Sequence, residues 1–96
     1  MILSVEPGYY QEGAYGIRIE NLVRVAACEQ TDFAKDFLEF KILTLCPVDK
    51  QPVNKYLMSS GEISWLNNYH KQVYERLSPF LNASEKNWLK DACSPL

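Results

Sequence analysis

The sequence predicts an α+β fold in which about three antiparallel strands are followed by two helices. Residues 1–48 contain short apolar runs with strand-like alternation, whereas residues 59–96 carry apolar residues at spacings of three and four. A chain of 96 residues corresponds to one domain-sized segment with a modest hydrophobic core. We therefore interpret residues 1–96 as a single segment with a β-rich first half and a helical tail.

Three runs in the first half are expected to be strands. Met1–Val5 is apolar and is followed by Pro7-Gly8, a turn signal. Ile17–Val25 alternates in the way that is typical of a strand with two different faces. Phe37–Cys46 is rich in apolar and β-branched residues and ends at a proline. The polar stretch Glu29–Asp36 is expected to be a loop.

The second half predicts two helices, each with its own start signal. Ser59 and Glu62 have the spacing of a capping box, and Asn82 and Glu85 repeat that spacing before the second, shorter helix. Pro79 is expected to stop or bend the first helix. The apolar face of the first helix is predicted to consist of Ile63, Leu66, Tyr69, Val73, Leu77 and Phe80.

Composition and charge argue against several classes of protein. The formal net charge is -2 and the isoelectric point is about 5.3, and the basic residues do not cluster, so no nucleic-acid surface is predicted. No apolar run approaches the ~20 residues that span a bilayer, and the N-terminus does not resemble a signal peptide. Cys28, Cys46 and Cys93 are odd in number and widely spaced, which argues against a disulfide framework. We expect reduced thiols and a cytoplasmic protein.

Glu6 and Glu20 are the most informative polar residues. Each lies in strand-like apolar sequence, and a hairpin-like connection between the two runs could bring them side by side. A carboxylate in such a run is costly to bury unless it is paired or bound to a cation. The pattern therefore indicates an incomplete metal site, because two glutamates alone do not make a hydrolase. On the residues alone, two ordinary strand carboxylates that face water remain an alternative.

Five motifs, which extend through almost the whole chain, carry a resemblance to a known family. They are Ser4-Val5-Glu6-Pro7-Gly8-Tyr9-Tyr10, Gly16-Ile17-Arg18-Ile19-Glu20-Asn21, Leu43-Thr44-Leu45-Cys46-Pro47-Val48-Asp49, Trp65-Leu66-Asn67-Asn68-Tyr69-His70 and Leu77-Ser78-Pro79. In this order they resemble the C-terminal end of the Xaa-Pro aminopeptidases, the aminopeptidase P family of pita-bread-fold metallopeptidases. The resemblance implies that the chain is the last part of a pita-bread catalytic domain.

The resemblance also implies a dinuclear metal site. Enzymes of this family bind two divalent cations, usually manganese, through two aspartates, one histidine and two glutamates, and the glutamates match Glu6 and Glu20. By this analogy Glu6 binds one ion and Glu20 bridges both, and carboxylates suit Mn²⁺. The implied reaction is hydrolysis of the N-terminal bond of a peptide with proline at its second position. The family's aspartates and histidine have no counterpart here, so the chain alone is expected to be inactive and to bind metal weakly or not at all.

Four further residues have expected roles. Arg18 lies two residues from Glu20 on the same strand face, and we expect it to orient that carboxylate, with a plain salt bridge as the alternative. Tyr10 either forms a hydrogen bond near the site or packs. Glu12 is expected to be solvated in a turn. His70, the single histidine, is expected to be a surface or packed helix residue and not a metal ligand.

Two other classes of function stay open. One is a non-catalytic interaction module of pita-bread origin, with residues 59–96 as its partner or dimer surface. The other is a prolidase or creatinase, which share the fold, although the sequence from Phe37 onward resembles the longer aminopeptidase P form more than either. In each case self-association, for example as a homodimer, is expected because one apolar strand face has too few strands to cover it. That face comprises Ile17, Ile19, Val23 and Val25.

Overall fold

Five strands precede two helices in the computed structural model, which describes residues 1–28 and 37–96. The elements are β1 (Ile2–Val5), β2 (Gly8–Gln11), β3 (Tyr15–Arg18), β4 (Asn21–Ala27), β5 (Leu38–Ile42), α1 (Ser60–Leu77) and α2 (Ala83–Ala92). Short 3₁₀ turns at Lys55–Leu57 and Ser78–Phe80 flank α1. The predicted order, strands and then helices, is confirmed. The chain divides into two units, Met1–Thr44 and Leu45–Leu96.

The first unit contains two antiparallel sheets, one of β1, β4 and β5 in the order β1-β4-β5 and one of β2 and β3. A single register runs through both: Ile2 pairs with Arg24 in the larger sheet, and Gly8 pairs with Arg18 in the smaller one. The two sheets are therefore successive parts of one long hairpin. Val23 in β4 is 4% exposed and lies at the centre of the larger sheet.

Pro7 divides this hairpin and explains why five strands are found where about three were predicted. Proline has no N–H, so one ladder hydrogen bond is missing, although the Ile19 N–H still donates to the Pro7 carbonyl at 3.1 Å. The predicted strand Ile17–Val25 is accordingly split between β3 and β4. The predicted turn at Pro7-Gly8 is wrong, because Gly8 already begins the extended strand β2.

The reversal of the hairpin lies at Gly13 instead. Gly13 has a φ of 73°, a backbone conformation that glycine adopts without a steric penalty. The Ala14 N–H donates to the Gln11 carbonyl at 3.0 Å and closes the turn. Glu12 lies in this turn and is exposed, as predicted.

The last strand is shorter than the predicted range Phe37–Cys46. After β5 the Leu43 N–H donates to the Leu22 carbonyl at 2.8 Å, and the Leu22 N–H then donates to Oγ1 of Thr44 at 2.8 Å. A side-chain hydroxyl thus replaces the next backbone acceptor, and the ladder ends there. The loop predicted at Glu29–Asp36 lies outside the described residues.

Both predicted helix starts in the second unit are confirmed. The Glu62 N–H donates to Oγ of Ser59 at 3.1 Å and the Ser59 N–H donates to Oε2 of Glu62 at 2.8 Å, which completes a capping box. At the second start the Glu85 N–H donates to Oδ1 of Asn82 at 2.9 Å. Pro79 lies in the 3₁₀ turn that directly follows α1, as its helix-stopping chemistry predicts.

The core of the second unit forms on one face of α1. Leu66, Tyr69 and Val73 are buried there, as predicted from their spacing, and Leu89 of α2 is 2% exposed. Phe80 does not belong to this core and is 85% exposed, because the helix ends before the apolar face reaches it.

The side chains of Lys50 and Asn67 form hydrogen bonds with the backbone of residues 91–96. Nζ of Lys50 donates to the carbonyls of Asp91 at 3.1 Å and Ser94 at 2.8 Å. A cation is favourable at this place because the last carbonyls of α2 carry the negative end of the helix dipole. The Leu96 N–H donates to Oδ1 of Asn67 at 2.9 Å, so α1 also holds the chain terminus.

Candidate metal centre

Glu6 and Glu20 lie opposite each other at the break between the two sheets. The last residue of β1 pairs with the first of β4, and the first residue of β2 pairs with the last of β3. The same register carried across the break makes Glu6 the partner of Glu20. Directly opposed residues of an antiparallel pair share a face and have Cβ atoms about 4.5–5.5 Å apart. The hairpin therefore brings together the two carboxylates that the sequence pointed to.

Arg18 lies between these carboxylates and contacts both. Its Nη1 is 3.5 Å from Oε1 of Glu6, and its Nη2 is 3.4 Å from Oε2 of Glu20. Ser4 Oγ also donates to Oε2 of Glu6 at 2.6 Å. Two like charges directly opposite each other on a sheet repel, and the guanidinium offsets that repulsion. All three charged side chains are 41–51% exposed, so solvent screens the pairs and their effect is on geometry more than on stability.

The ring of Tyr10 lies over two glycines on the same face of the hairpin. A Cβ atom at Gly16 would lie 2.6 Å from Cδ1 of Tyr10, and one at Gly8 would lie 2.9 Å from the Tyr10 hydroxyl oxygen. Because Gly8 is the pairing partner of Arg18, the hydroxyl extends toward the Arg18 end of this face. The ring of Tyr10 therefore contacts the hairpin backbone, and its role at the site stays a prediction.

Sequence reasoning missed three residues that shape this face. Ser4, Gly8 and Gly16 hold a carboxylate or leave room for the tyrosine ring. The spacing of these residues could have predicted their shared face. Every second residue of a strand lies on the same face, and this applies to Ser4, Glu6, Gly8 and Tyr10.

The described residues contain two opposed carboxylates but no complete ligand set for a metal ion. Within 1–28 and 37–96 no group of three or more His, Cys, Asp or Glu side chains is close enough to hold an ion. Carboxylate oxygens suit hard divalent cations such as Mg²⁺ and Mn²⁺, which need about six ligands. The Glu6–Glu20 pair therefore fits such a cation as two donors of a larger set.

Cys28, Cys46 and Cys93 are all free. Cys93 is buried, and burial raises the pKa of its thiol although the nearby Lys50 acts in the opposite direction. Such a thiol stays protonated near neutral pH and is a poor nucleophile. Cys93 belongs to the buried core of the second unit.

Comparison with known proteins identifies the family. Residues 36–96 match the model of the C-terminal region of peptidase_M24. The chain belongs to this peptidase M24 family. Its relatives include the Xaa-Pro aminopeptidase app-1 of Caenorhabditis elegans, 41% identical over 99% of this chain and 16% of that protein. Aminopeptidase P2 of Arabidopsis thaliana is 42% identical over 100% of this chain and 14% of that protein, and Protein pid-5 of Caenorhabditis elegans is 40% identical over 99% and 9%.

The M24 relationship extends to the fold. The crystal structure of X-prolyl aminopeptidase from Caenorhabditis elegans superposes with a TM-score of 0.90 at 39% identity, over 99% of this chain and 16% of that chain. That protein is described as a cytosolic enzyme with a di-nuclear active site. The predicted fold class and the predicted resemblance to the C-terminal end of Xaa-Pro aminopeptidases are therefore confirmed.

The chain spans only 9% to 17% of the length of the curated relatives it matches. Neither helix among the described residues combines the length and the apolar composition that crossing a bilayer requires.

Proposed function

We propose that this chain forms the C-terminal part of the catalytic domain of a metal-dependent aminopeptidase that hydrolyses N-terminal Xaa-Pro bonds. The observation that carries the proposal is the opposed Glu6–Glu20 pair with Arg18 between the two carboxylates. Relatives that match the whole chain and are named Xaa-Pro aminopeptidase or aminopeptidase P support it. The substrate would be a peptide with proline at its second position, and residues 1–96 would be one segment of that domain, with the carboxylates in 1–48 and a helical tail in 59–96.

The proposed metal site uses two divalent cations, for which Mn²⁺ is our choice. The di-nuclear active site of the Caenorhabditis elegans enzyme and the oxygen donors of the carboxylate pair support it. Glu6 would bind one ion and Glu20 would bridge both, and the other ligands would come from outside these residues. Such ions, when bound, polarise the scissile carbonyl and activate water for hydrolysis.

Arg18 and Ser4, on the same face, orient the two carboxylates. Arg18 holds one oxygen of Glu6 and one of Glu20, so both groups keep a defined orientation before substrate arrives. Ser4 fixes the second oxygen of Glu6. The ring of Tyr10 lies over the backbone of Gly8, the residue paired with Arg18.

Metal titration of the 96-residue chain tests the proposed ligands. Calorimetry with Mn²⁺ is expected to show weak binding, because two carboxylates leave most coordination positions to water. Glu20→Ala should abolish this weak signal, whereas Glu12→Ala, which removes an exposed carboxylate from the turn of the same hairpin, should leave it unchanged. Equal binding by the wild type and the Glu20→Ala variant would contradict the assignment. Tight binding that is lost in Glu20→Ala would mean that copies of the chain complete a site together.

A non-catalytic interaction module is the second candidate function. Protein pid-5 matches 99% of this chain at 40% identity under a name that states no peptidase activity. In that case residues 59–96 would offer the partner or dimer surface.

The relatives named above as aminopeptidases favour an Xaa-Pro enzyme over a prolidase or a creatinase. We also propose a cytoplasmic location, which the cytosolic Caenorhabditis elegans enzyme supports.

Self-association of the isolated chain is a further expectation, and it rests on the apolar surface of the first unit. Ile17 and Ile19 are 46% and 47% exposed, and Tyr9 is 60% exposed. The prediction is wrong for Val23, which is 4% exposed because β1 and β5 pair with β4 on both sides of it. Contiguous apolar surface of this kind is usually covered in a stable protein. Sedimentation equilibrium should show dimers or larger species, and Ile17→Lys should shift the equilibrium toward monomer. Tyr56→Lys, at an 89% exposed position in the second unit, is the matched control, and a wild type that stays monomeric at high concentration would contradict this expectation.

A further inference from the structure

His70 is the single histidine of the chain and is fully buried, at 0% exposure. Its Nε2 accepts a hydrogen bond from the Val48 N–H at 3.0 Å. A ring nitrogen accepts only when it carries no proton, so the proton of this neutral imidazole is on Nδ1. Nδ1 is also buried and has no hydrogen-bond partner among the described residues. The metal chemistry proposed above makes no use of this side chain.

The segment that His70 holds, Cys46–Lys50, has no regular secondary structure. Its backbone is attached to α1 through side chains instead. The Tyr69 hydroxyl donates to the Cys46 carbonyl at 2.9 Å and accepts from the Cys46 N–H at 3.3 Å, and His70 accepts from Val48 two residues later. Imidazole is the side chain whose ordinary pKa lies near neutral pH. His70 is therefore the attachment that moderate acidification can remove.

Protonation of His70 changes this attachment in a defined way. An imidazolium donates from both nitrogens, so its Nε2–H would face the Val48 N–H and the hydrogen bond would be lost. Lys50, on the segment itself, adds a like charge near the ring. The other titratable side chains buried in this unit are Tyr69 and Cys93, and burial raises the pKa of the Cys93 thiol. Among the described residues, no carboxylate forms an ion pair with the imidazole within 4 Å.

We propose that His70 is a pH-sensitive lock on the segment Cys46–Lys50. Neutral His70 holds the Val48 amide and keeps the segment on α1, and protonated His70 releases it. This device is independent of the proposed peptidase function, because it lies wholly within the second unit.

The direction of the pH dependence follows from where the proton binds. Burial, with the charge of Lys50 in addition, lowers the pKa of His70 below its ordinary value of about 6.5 in the locked state. Well above pH 6.5 neither the locked nor the released state binds the proton, so the equilibrium constant for locking has its highest value. Below that pH the released state binds a proton that the locked state does not, so the locking equilibrium constant falls up to about tenfold per pH unit until the locked state itself becomes protonated.

Nuclear magnetic resonance on the 96-residue chain tests the lock, and a single histidine makes the spectra unambiguous. Long-range ¹H–¹⁵N correlation at pH 7.5 should show the Nδ1–H tautomer, and His70 should titrate below pH 6.5. Hydrogen exchange of the Val48 amide, corrected for intrinsic rates, should indicate an opening constant that rises up to about tenfold per unit below that pH. The Val73 amide inside α1 reports whether the whole unit opens at the same time.

His70→Gln is the matched variant, because a Gln side-chain oxygen can accept from Val48 and does not titrate. Its Val48 exchange should be independent of pH between 7.5 and 5. The proposal would be overturned by an Nε2–H tautomer, by wild-type Val48 exchange that does not change with pH, or by a Gln variant that keeps the wild-type dependence. If the variant does not fold, the wild-type tautomer and titration decide the matter on their own.

Discussion

Glu20→Gln is expected to reduce the hydrolysis of Xaa-Pro peptides about 10³-fold. The substitution keeps the shape of the side chain and removes the charge that would bridge two cations. Metal assistance contributes several kcal/mol of transition-state stabilisation, and each ~1.4 kcal/mol corresponds to a factor of ten in rate. The measurement is kcat/KM of a chimera in which this chain replaces the matched part of the Caenorhabditis elegans Xaa-Pro aminopeptidase app-1.

The chimera separates the candidate functions as well as the residues. Glu12→Gln is the control, because it makes the same chemical change at an exposed carboxylate in the turn of the same hairpin, and it should keep full activity. The metal content of each purified chimera shows whether lost activity accompanies lost metal. An active Glu20→Gln chimera would contradict the ligand assignment. A folded but inactive wild-type chimera would favour the non-catalytic interaction module.

Leu66→Ala is expected to lower the free energy of unfolding of the second unit by about 2–5 kcal/mol. Leu66 is 6% exposed on the packed face of α1, and its truncation leaves a cavity in a core to which few side chains contribute. Since small units are only marginally stable, a loss of this size removes much of the folded population. Urea denaturation followed by circular dichroism at 222 nm measures the change.

Leu57→Ala provides the comparison for that prediction. Leu57 is 84% exposed in the 3₁₀ turn before α1, so the same atoms are removed without a cavity. Its unfolding free energy should stay within about 0.5 kcal/mol of the wild type. Equal urea midpoints for the Leu66 and Leu57 variants would show that the face predicted from helical spacing is not the core of this unit.

The helical half could be predicted well because its signals are local. The Ser59–Glu62 capping box joins residues three apart, and the spacing of Leu66, Tyr69 and Val73 is a property of any α-helix. The strand half was predicted less well. Pro7-Gly8 is a common turn signal, yet the opposing strand keeps this segment extended, and the reversal falls at Gly13.

The candidate site shows the same division. Glu6 and Glu20 stand out in the sequence because carboxylates are unusual in apolar strand-like runs. The spacing of two residues also predicts that Arg18 contacts Glu20. It does not predict the contact of Arg18 with Glu6, which is 12 positions away. The position of the Tyr10 ring over Gly8 and Gly16 also depends on the pairing of the two hairpin strands, because the two glycines lie on different strands.

The sequence by itself therefore determined the α+β class, the helix starts, the packed face of α1 and the identity of the two carboxylates, because each depends on residue type and short spacing. Tertiary structure alone decided that Glu6 faces Glu20 with Arg18 between them, and that His70 is buried as the acceptor of the Val48 amide. The physical reason is that these contacts join residues 12 to 22 positions apart, whose meeting is set by strand register and core packing.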